Sequence, residues 1–334
     1  MKTARSGRSR SSGCRQLESG YPHFSVSGLG WLVYRSGGAA GKEPTLVWVD
    51  RKGLAQPIPA APADYQELRL SPDGTLLASI RKDNGIDVWT YDLSRDVLTR
   101  LTFGTSSNAA WSPDGKEVFF TSRSSGKPAL FRMSSDGRGS REELLRADNY
   151  GIGADSLSPD GQVLAFFEVR PETDSDIWVL PLEGDRKPRP FLRTTADEGA
   201  AMFSADGRFL AYVSNASGRP EVYVQTFPEG GGKWQVSSAG GSEPVWARSG
   251  KELFYRAGNQ MMAVSIEAEP TFTAGKPTAL FPDPYLKSGW FQAVYDVSPD
   301  GQRFVMVQSS DEAEGSTQLS VVQNWPELLK PSER

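Results

Sequence analysis

In Ala109-Ala110-Trp111-Ser112-Pro113-Asp114-Gly115-Lys116-Glu117-Val118-Phe119-Phe120-Thr121 an apolar run stops at Ser-Pro-Asp-Gly and then resumes. The same tetrapeptide stands at 71–74, 158–161 and 298–301, and Ser204-Ala205-Asp206-Gly207 is a near copy. The glycines at 74, 115, 161 and 207 are spaced by 41, 46 and 46 residues. The 94-residue gap from 207 to 301 leaves room for one degenerate copy, and Trp246-Ala247-Arg248-Ser249-Gly250-Lys251 lies at the expected place. A further unit is read at the start, where Phe24-Ser25-Val26-Ser27-Gly28-Leu29-Gly30 precedes the strand-like Trp31-Leu32-Val33-Tyr34.

The tetrapeptide is a hairpin tip. Proline pre-sets φ for a type I turn, aspartate accepts from nearby backbone amides, and glycine takes the left-handed conformation that closes a bulged hairpin. β-Branched and aromatic residues flank it, as in Glu117–Thr121 and Phe209–Val213, which is strand composition. A second hairpin follows in each full unit, beginning Asp87-Val88-Trp89, Ala129-Leu130-Phe131, Asp176-Ile177-Trp178 or Glu221-Val222-Tyr223. Four short strands recurring at a period of ~45 residues are the pattern of a propeller blade. The expected fold is therefore all-β, a β-propeller of four-stranded blades. Seven blades are expected, with six as the alternative if the first and last units combine. The propeller is predicted to occupy residues 23–334 as a single domain behind a disordered basic tail, 1–22. Closure is expected to use a strand from residues 24–34 against the last unit, whose strands are read around 293–297, 303–308 and 318–322.

Composition excludes much chemistry. One cysteine, Cys14, and one histidine, His23, cannot build a disulfide, a Cys/His zinc site or a haem motif within one chain. No apolar run approaches the ~20 residues of a membrane helix, so the chain is not expected to insert in a bilayer. Lys2, Arg5, Arg8, Arg10 and Arg15 against Glu18 give residues 1–20 a charge of +4, which leaves −8 on the rest of a chain of net charge −4. An acidic body lacks the footprint of a nucleic-acid binder. No apolar core of a secretion signal follows the basic start. The chain as written is thus expected in the cytoplasm, or outside it if it belongs to a longer receptor.

The unit Trp-Ser-Pro-Asp-Gly-Lys, an apolar strand, then Asp-Ile-Trp-Val, resembles the TolB-type, WD-repeat-like propeller repeat of bacteria. Longer segments narrow this: Phe24–Ser27 with Tyr34–Gly38, Leu180–Pro188, Gly232–Ser237 and Tyr295–Phe304. Together they resemble the C-terminal propeller region of bacterial receptor-type serine/threonine kinases, over about residues 24–330. The resemblance implies a sensory or protein-interaction module. It carries over no kinase residue, because the Gly-rich phosphate loop, His-Arg-Asp and Asp-Phe-Gly are missing; the one Phe-Gly pair, Phe103-Gly104, follows a threonine. The transmembrane helix of such receptors is missing too, so either the propeller stands alone or Met1 lies inside a longer frame.

TolB-type propellers also precede α/β-hydrolase domains, but no Gly-x-Ser-x-Gly elbow occurs and His23 is the only histidine. Calcium loops of the Asp-x-Asp-x-Asp-Gly kind are absent. Asp73, Asp114, Asp160, Asp206 and Asp300 are assigned to their turns. Asp87, Asp176 and Glu221, at equivalent strand starts, are assigned to architecture, and Trp89, Trp111, Trp178 and Trp246 to packing between blades. Neither a catalytic residue nor a cofactor or metal is predicted.

If the Ser-Pro-Asp-Gly turns join the innermost strand to the second on one face, the blade-to-blade crossovers share the other. Function concentrates in loops on rigid scaffolds. The predicted rim for a ligand or partner is therefore Asp64, Tyr65, Asn108, Tyr150, Asp197, Glu198, Glu243, Trp290 and Phe291, with the last two as an aromatic anchor. The leading expectation is a monomeric, non-enzymatic module binding a protein or peptide, a small ligand or a glycan. The alternative is a glycan-active hydrolase or lyase with paired carboxylates at the channel mouth.

Overall fold

Every Ser-Pro-Asp-Gly copy closes its hairpin with the same bonds. Around 112–115, the Ser112 hydroxyl donates to Asp114 Oδ1 (2.7 Å) and accepts from the Glu117 amide (2.8 Å). Asp114 Oδ1 also accepts from Lys116 N (3.1 Å), and Gly115 N reaches back to Ser112 O (2.9 Å). The pattern recurs at Asp73, Asp160, Asp206 and Asp300. The serine hydrogen bond holds the carboxyls of Asp73, Asp114, Asp160 and Asp300 below their ordinary pKa. These aspartates are turn residues, as read from the sequence.

The computed structural model describes residues 24–26, 31–35, 43–82, 85–148, 151–229, 231–288, 292–309 and 319–323. Residues 43–310 form one compact unit; residues 1–42 with 311–334 form another. The tail 1–22, Tyr150, Trp290 and Phe291 lie outside the described residues. Among the described residues no helix is long and apolar enough to cross a membrane.

The larger unit is a ring of six four-stranded antiparallel blades. Blade I joins Tyr295–Val297 and Arg303–Gln308 to Thr45–Asp50 and Ala55–Pro57. Blade II is Asp64–Leu70, Leu76–Lys82, Gly85–Asp92 and Val97–Arg100; blade III is Ser106–Trp111, Glu117–Ser122, Ala129–Ser134 and Glu142–Arg146. Blade IV is Gly151–Leu157, Val163–Arg170, Asp174–Pro181 and Arg189–Leu192; blade V is Glu198–Phe203, Phe209–Ser214, Glu221–Thr226 and Lys233–Gln235. Blade VI is Ser242–Trp246, Glu252–Ala257, Gln260–Glu267 and Thr278–Pro282, with Thr273–Ala274 as an added pair to its third strand. The inner strands contact one another in order and the last touches the first, which closes the ring.

Seven blades are not formed. The first sequence unit does not build a blade: Phe24–Val26 and Trp31–Arg35 pair with each other, and Trp31–Arg35 pairs with Leu319–Gln323 in a separate three-stranded sheet. The strand expected near 318–322 is therefore not part of the last blade. The closing strands come from further along: Thr45–Asp50 lies antiparallel to Arg303–Gln308, with Val47 opposite Met306. Strand composition marks 24–34 and 45–50 alike. Leu46, Val47 and Val49 are fully buried between neighbouring blades.

Apolar packing confirms the count. Six buried clusters lie one at each junction; for example, Phe119 and Leu130 of blade III pack on Phe166 and Leu180 of blade IV. The tryptophans serve these junctions. Trp111 Nε1 donates to Arg69 O of blade II (3.1 Å), and Trp246 Nε1 to Met202 O of blade V (3.0 Å). Trp178 packs between blades III and IV, and Trp89 against the cluster of blades I and II. Asp87 and Glu221 accept from Thr102 and Ser237, hydroxyls that also accept from the Val88 and Val222 amides. These acids pin the third strand to the chain that follows the fourth.

The turns pack in sequence around the ring. A Cβ on Gly207, whose φ is +73°, would lie 3.2 Å from the Pro159 ring of the preceding turn. Gly207→Ala is expected to lose about 1–2 kcal/mol from the left-handed backbone alone, read as a lower urea midpoint at unchanged m-value. Deleting residues 43–57 is expected to abolish the cooperative thermal transition, because blade I loses two of its four strands; a retained sharp melt would contradict this closure.

Candidate functional site

Each inner strand runs toward its Ser-Pro-Asp-Gly turn or the equivalent turn at 204–207 or 247–250, so six strand ends converge on the axis at that face. Five of the six carry an irregularity in register, at Tyr65/Glu67, Phe119/Thr121, Ala154/Ser156, Gly199/Met202 and Ser242/Val245 of the ladders. Such bulges re-aim side chains and recur beside functional sites. At three of them a non-glycine residue is left-handed: Asn108 (φ 51°), Ala200 (55°) and Glu243 (54°). The converging ends enclose a cavity of about 270 Å³, open at the turn face. All six blades line it, through Asp296, Arg69, Trp111, Asp155, Phe203 and Trp246 among others, with Arg248 at its edge.

Two of the lining side chains, Arg69 and Asp155, are joined through Gln292 in one hydrogen-bonded chain. Arg69 is buried; its Nη1 donates to Leu68 O (2.8 Å) and Ala293 O (3.0 Å), its Nη2 to Gln292 Oε1 (2.9 Å), and its Nε has no partner. Gln292 Nε2, from the segment leading into blade I, reaches Asp155 Oδ1 (3.1 Å) and Ala154 O (2.9 Å) on blade IV. In a six-bladed ring, blades I and IV face each other, so this side chain bridges the axis. Asp155 is 2% exposed and its Oδ2 has no partner. Burial pushes the Asp155 carboxyl well above the ordinary range, against the opposing pull of Arg69. Burial raises Glu67 too; it accepts from Ser79 Oγ (2.8 Å). Asp296, opposite Asp155, accepts from the Leu70 and Val297 amides (each 2.7 Å), and burial raises its pKa despite Arg69 and Arg248.

Arg248 takes the place that proline holds in four of the other turns and alanine in the fifth. Its Nη2 donates to Leu70 O (3.0 Å) and Ser71 O (2.7 Å) of blade II, two blades away. The side chain therefore lies over the mouth, with Nε and Nη1 unpartnered among the described residues.

The predicted rim residues have other surroundings. Asp64 pairs with Arg81 (3.4 Å). Tyr65 is buried, donates to Ala61 O (2.6 Å), and burial pushes its hydroxyl up to about 12. Asn108 sits at its bulge and accepts from Ser107 Oγ (3.1 Å). Asp197 exchanges bonds with Asn215 (3.0 and 3.3 Å), and Glu198 is buried against Thr194 (2.5 Å) and Ser214 (3.4 Å). Glu243 lies in a buried ion cluster: Arg256 Nε is 3.6 Å from it and 3.3 Å from Asp283, with its guanidinium 5.1 Å from the Tyr295 ring centre. Glu243 also accepts from Val294 N (2.9 Å) and Ser288 N (3.3 Å), tying blade VI to the segment before blade I. The six described residues stand at or beside the starts of four inner strands, those beginning at Asp64, Ser106, Glu198 and Ser242. Sequence reading missed Arg69, Asp155, Gln292, Asp296 and Arg248; the one signal available was arginine at the proline position of the degenerate turn. Among the described residues there is no group of three or more His, Cys, Asp or Glu side chains that could hold a metal ion.

With this geometry in hand the chain can be set beside known proteins. No family model matches it. An uncharacterised protein of Agrobacterium fabrum is 30% identical over 168 residues, 47% of this chain and 54% of that protein. The Tol-Pal system protein TolB of Anaeromyxobacter dehalogenans is 34% identical over 113 residues, 33% of this chain and 25% of that protein. The chain thus spans about half, or less, of the length of these curated relatives. Among solved structures, a TolB candidate from Agrobacterium tumefaciens superposes with a TM-score of 0.64 at 17% identity, covering 81% of this chain and 99% of that one. An oligogalacturonate lyase in complex with manganese gives a TM-score of 0.53 at 16% identity, over 91% of this chain and 82% of that one. The class is a six-bladed propeller with an axial cavity. Within that class, the fold is that of a TolB-like β-propeller, an architecture shared by binding proteins and enzymes.

The raised carboxyl of Asp155 has a thermodynamic consequence. The folded protein keeps a proton there that the unfolded chain releases above about pH 4. Wild-type stability therefore falls as pH rises from that point through the folded-state value. Asp155→Asn keeps the acceptor for Gln292 and never ionises. The variant is expected to melt with the wild type near pH 4 and above it at pH 8, the gap reflecting about 1.4 kcal/mol per unit of pKa displacement. A gap that closes as pH rises would contradict the assignment.

Proposed function

We propose that this propeller is a non-enzymatic binding module that takes a ligand, or a segment of a protein partner, at the axial cavity on the turn face. The observation that carries this reading is the convergence of all six inner strands on one cavity lined by four charged side chains, Arg69, Asp155, Arg248 and Asp296. A concave, largely apolar site with a few convergent polar groups is the usual form of a ligand site. The likeness in fold to TolB supports a partner-binding role, as does the sequence resemblance to the sensory propellers of receptor kinases.

The predicted crossover-face rim remains a second surface on which a partner could rest, with Asp64 a part-exposed acid on it. Ala205 lines the cavity mouth and is exposed, so Ala205→Trp is expected to obstruct the cavity without disturbing the fold. Captured from native extract by immobilised protein, the partner is expected to be lost with Ala205→Trp and retained with Asp64→Ala. The reverse pattern would move the site to the crossover face.

One observation favours a different reading. Asp155 and Asp296 stand on facing blades with raised pKa values, the arrangement of an acid and base pair in glycan cleavage. Turnover on a polysaccharide panel, lost in both Asp155→Asn and Asp296→Asn, would establish the enzyme in place of the binding module.

A further inference from the structure

The cavity chemistry points to a particular kind of ligand, and this step rests on the binding reading above. Two guanidinium groups reach the cavity from opposite sides of blade I. Arg69 lines it from blade II and Arg248 from the turn of blade VI, and Arg248 keeps Nε and Nη1 without partners among the described residues. Neither is neutralised by a salt bridge within the cavity. Asp296 spends its oxygens on the Leu70 and Val297 amides. Asp155 lines the same space and is held toward its neutral form by burial.

Arg248 is also fixed in place. The carbonyls of Leu70 and Ser71 hold one of its nitrogens, so the planar fork is oriented before any ligand arrives. Preorganised guanidinium is suited to a planar, two-oxygen acceptor. Around these groups the walls are apolar: Leu157, Phe203, Trp246 and Met202. The volume of about 270 Å³ corresponds to roughly nine water-sized groups.

We propose that the cavity binds the carboxylate of a small organic anion, held between Arg248 and Arg69, with the apolar remainder of the ligand against Trp246 and Phe203. A doubly charged phosphate is disfavoured, since Asp296 lies beside the same arginines. The carboxylate can come from a free organic acid or from the C-terminus of a peptide, and the test separates the two.

Calorimetric titration of the full chain with 3-phenylpropionate, 3-phenylpropionamide, N-acetyl-phenylalanine, galacturonate and inorganic phosphate decides the matter. The carboxylates are expected to bind, and the amide and phosphate to bind more weakly by about tenfold or more, the worth of one charge-assisted hydrogen bond. N-Acetyl-phenylalanine binding tightest identifies a chain terminus; galacturonate binding tightest identifies a sugar acid. Arg248→Gln is expected to weaken carboxylate binding about tenfold with a cooperative thermal transition retained, and Arg248→Lys to fall in between. If the amide binds as tightly as the acid and Ala205→Trp abolishes both, the cavity is a binding site but the carboxylate inference fails. If no acid binds at millimolar concentration, the inference also fails, while capture of a partner by wild type and not by Ala205→Trp would still uphold the binding module.

Discussion

The pairing of Thr45–Asp50 with Arg303–Gln308 is the contact on which the rest of the molecule depends. A four-stranded blade cannot bury both of its faces alone; each blade here shares an apolar cluster with each neighbour, and six blades give six such clusters. The chain reaches this state only if its two distant parts meet in blade I. Burial at roughly 25 cal/mol per Å² of apolar surface makes each junction favourable. An open arc would expose the faces of its two terminal blades and leave unpaired strand edges. The ring is thus a cooperative structure whose last junction is made by residues more than 250 positions apart in sequence.

Closure also creates the site. With six inner strands brought to one axis, side chains from non-neighbouring blades can touch, and Gln292 of blade I meets Asp155 of blade IV. The groups at the turn face are charged and partly unpaired, whereas Arg256, Glu243, Asp283 and Tyr295 form a compact buried ion cluster at the junction of blades VI and I. A buried ion cluster adds little net stability over an apolar core, but it fixes one geometry because breaking any member strands a charge. The cluster positions the segment that carries Gln292 and so helps set the floor of the cavity.

How much of this was legible in the sequence follows from the kind of information each feature carries. The blade repeat was plain because the turn chemistry is local: Ser, Pro, Asp and Gly do at each copy what their side chains and backbone preferences dictate. The roles of Asp87, Glu221, Trp111 and Trp246 were legible for the same reason, through their fixed place in the repeat. The blade number was not, because strand composition says that Trp31–Tyr34 pairs without saying with what. The closing strand Thr45–Asp50 was overlooked because it is a third strand whose first two partners, with their Ser298–Gly301 turn, stand at the other end of the sequence. The cavity was illegible for a different reason. Asp155 and Gln292 are 137 residues apart, and the bulges that turn inner-strand side chains toward the axis leave no compositional mark. Only Arg248, standing where the repeat calls for proline, signalled a departure from pure architecture.

Native-state hydrogen exchange is the most direct measurement of ring closure. The account predicts that the amides of Thr45–Asp50 and Arg303–Gln308 exchange only through global unfolding, with the same free energy as the amides of Leu164–Phe166 in blade IV. Rapid exchange in Thr45–Asp50, while blades II to V stay protected, would contradict a closed ring and with it the cavity that the closed ring defines.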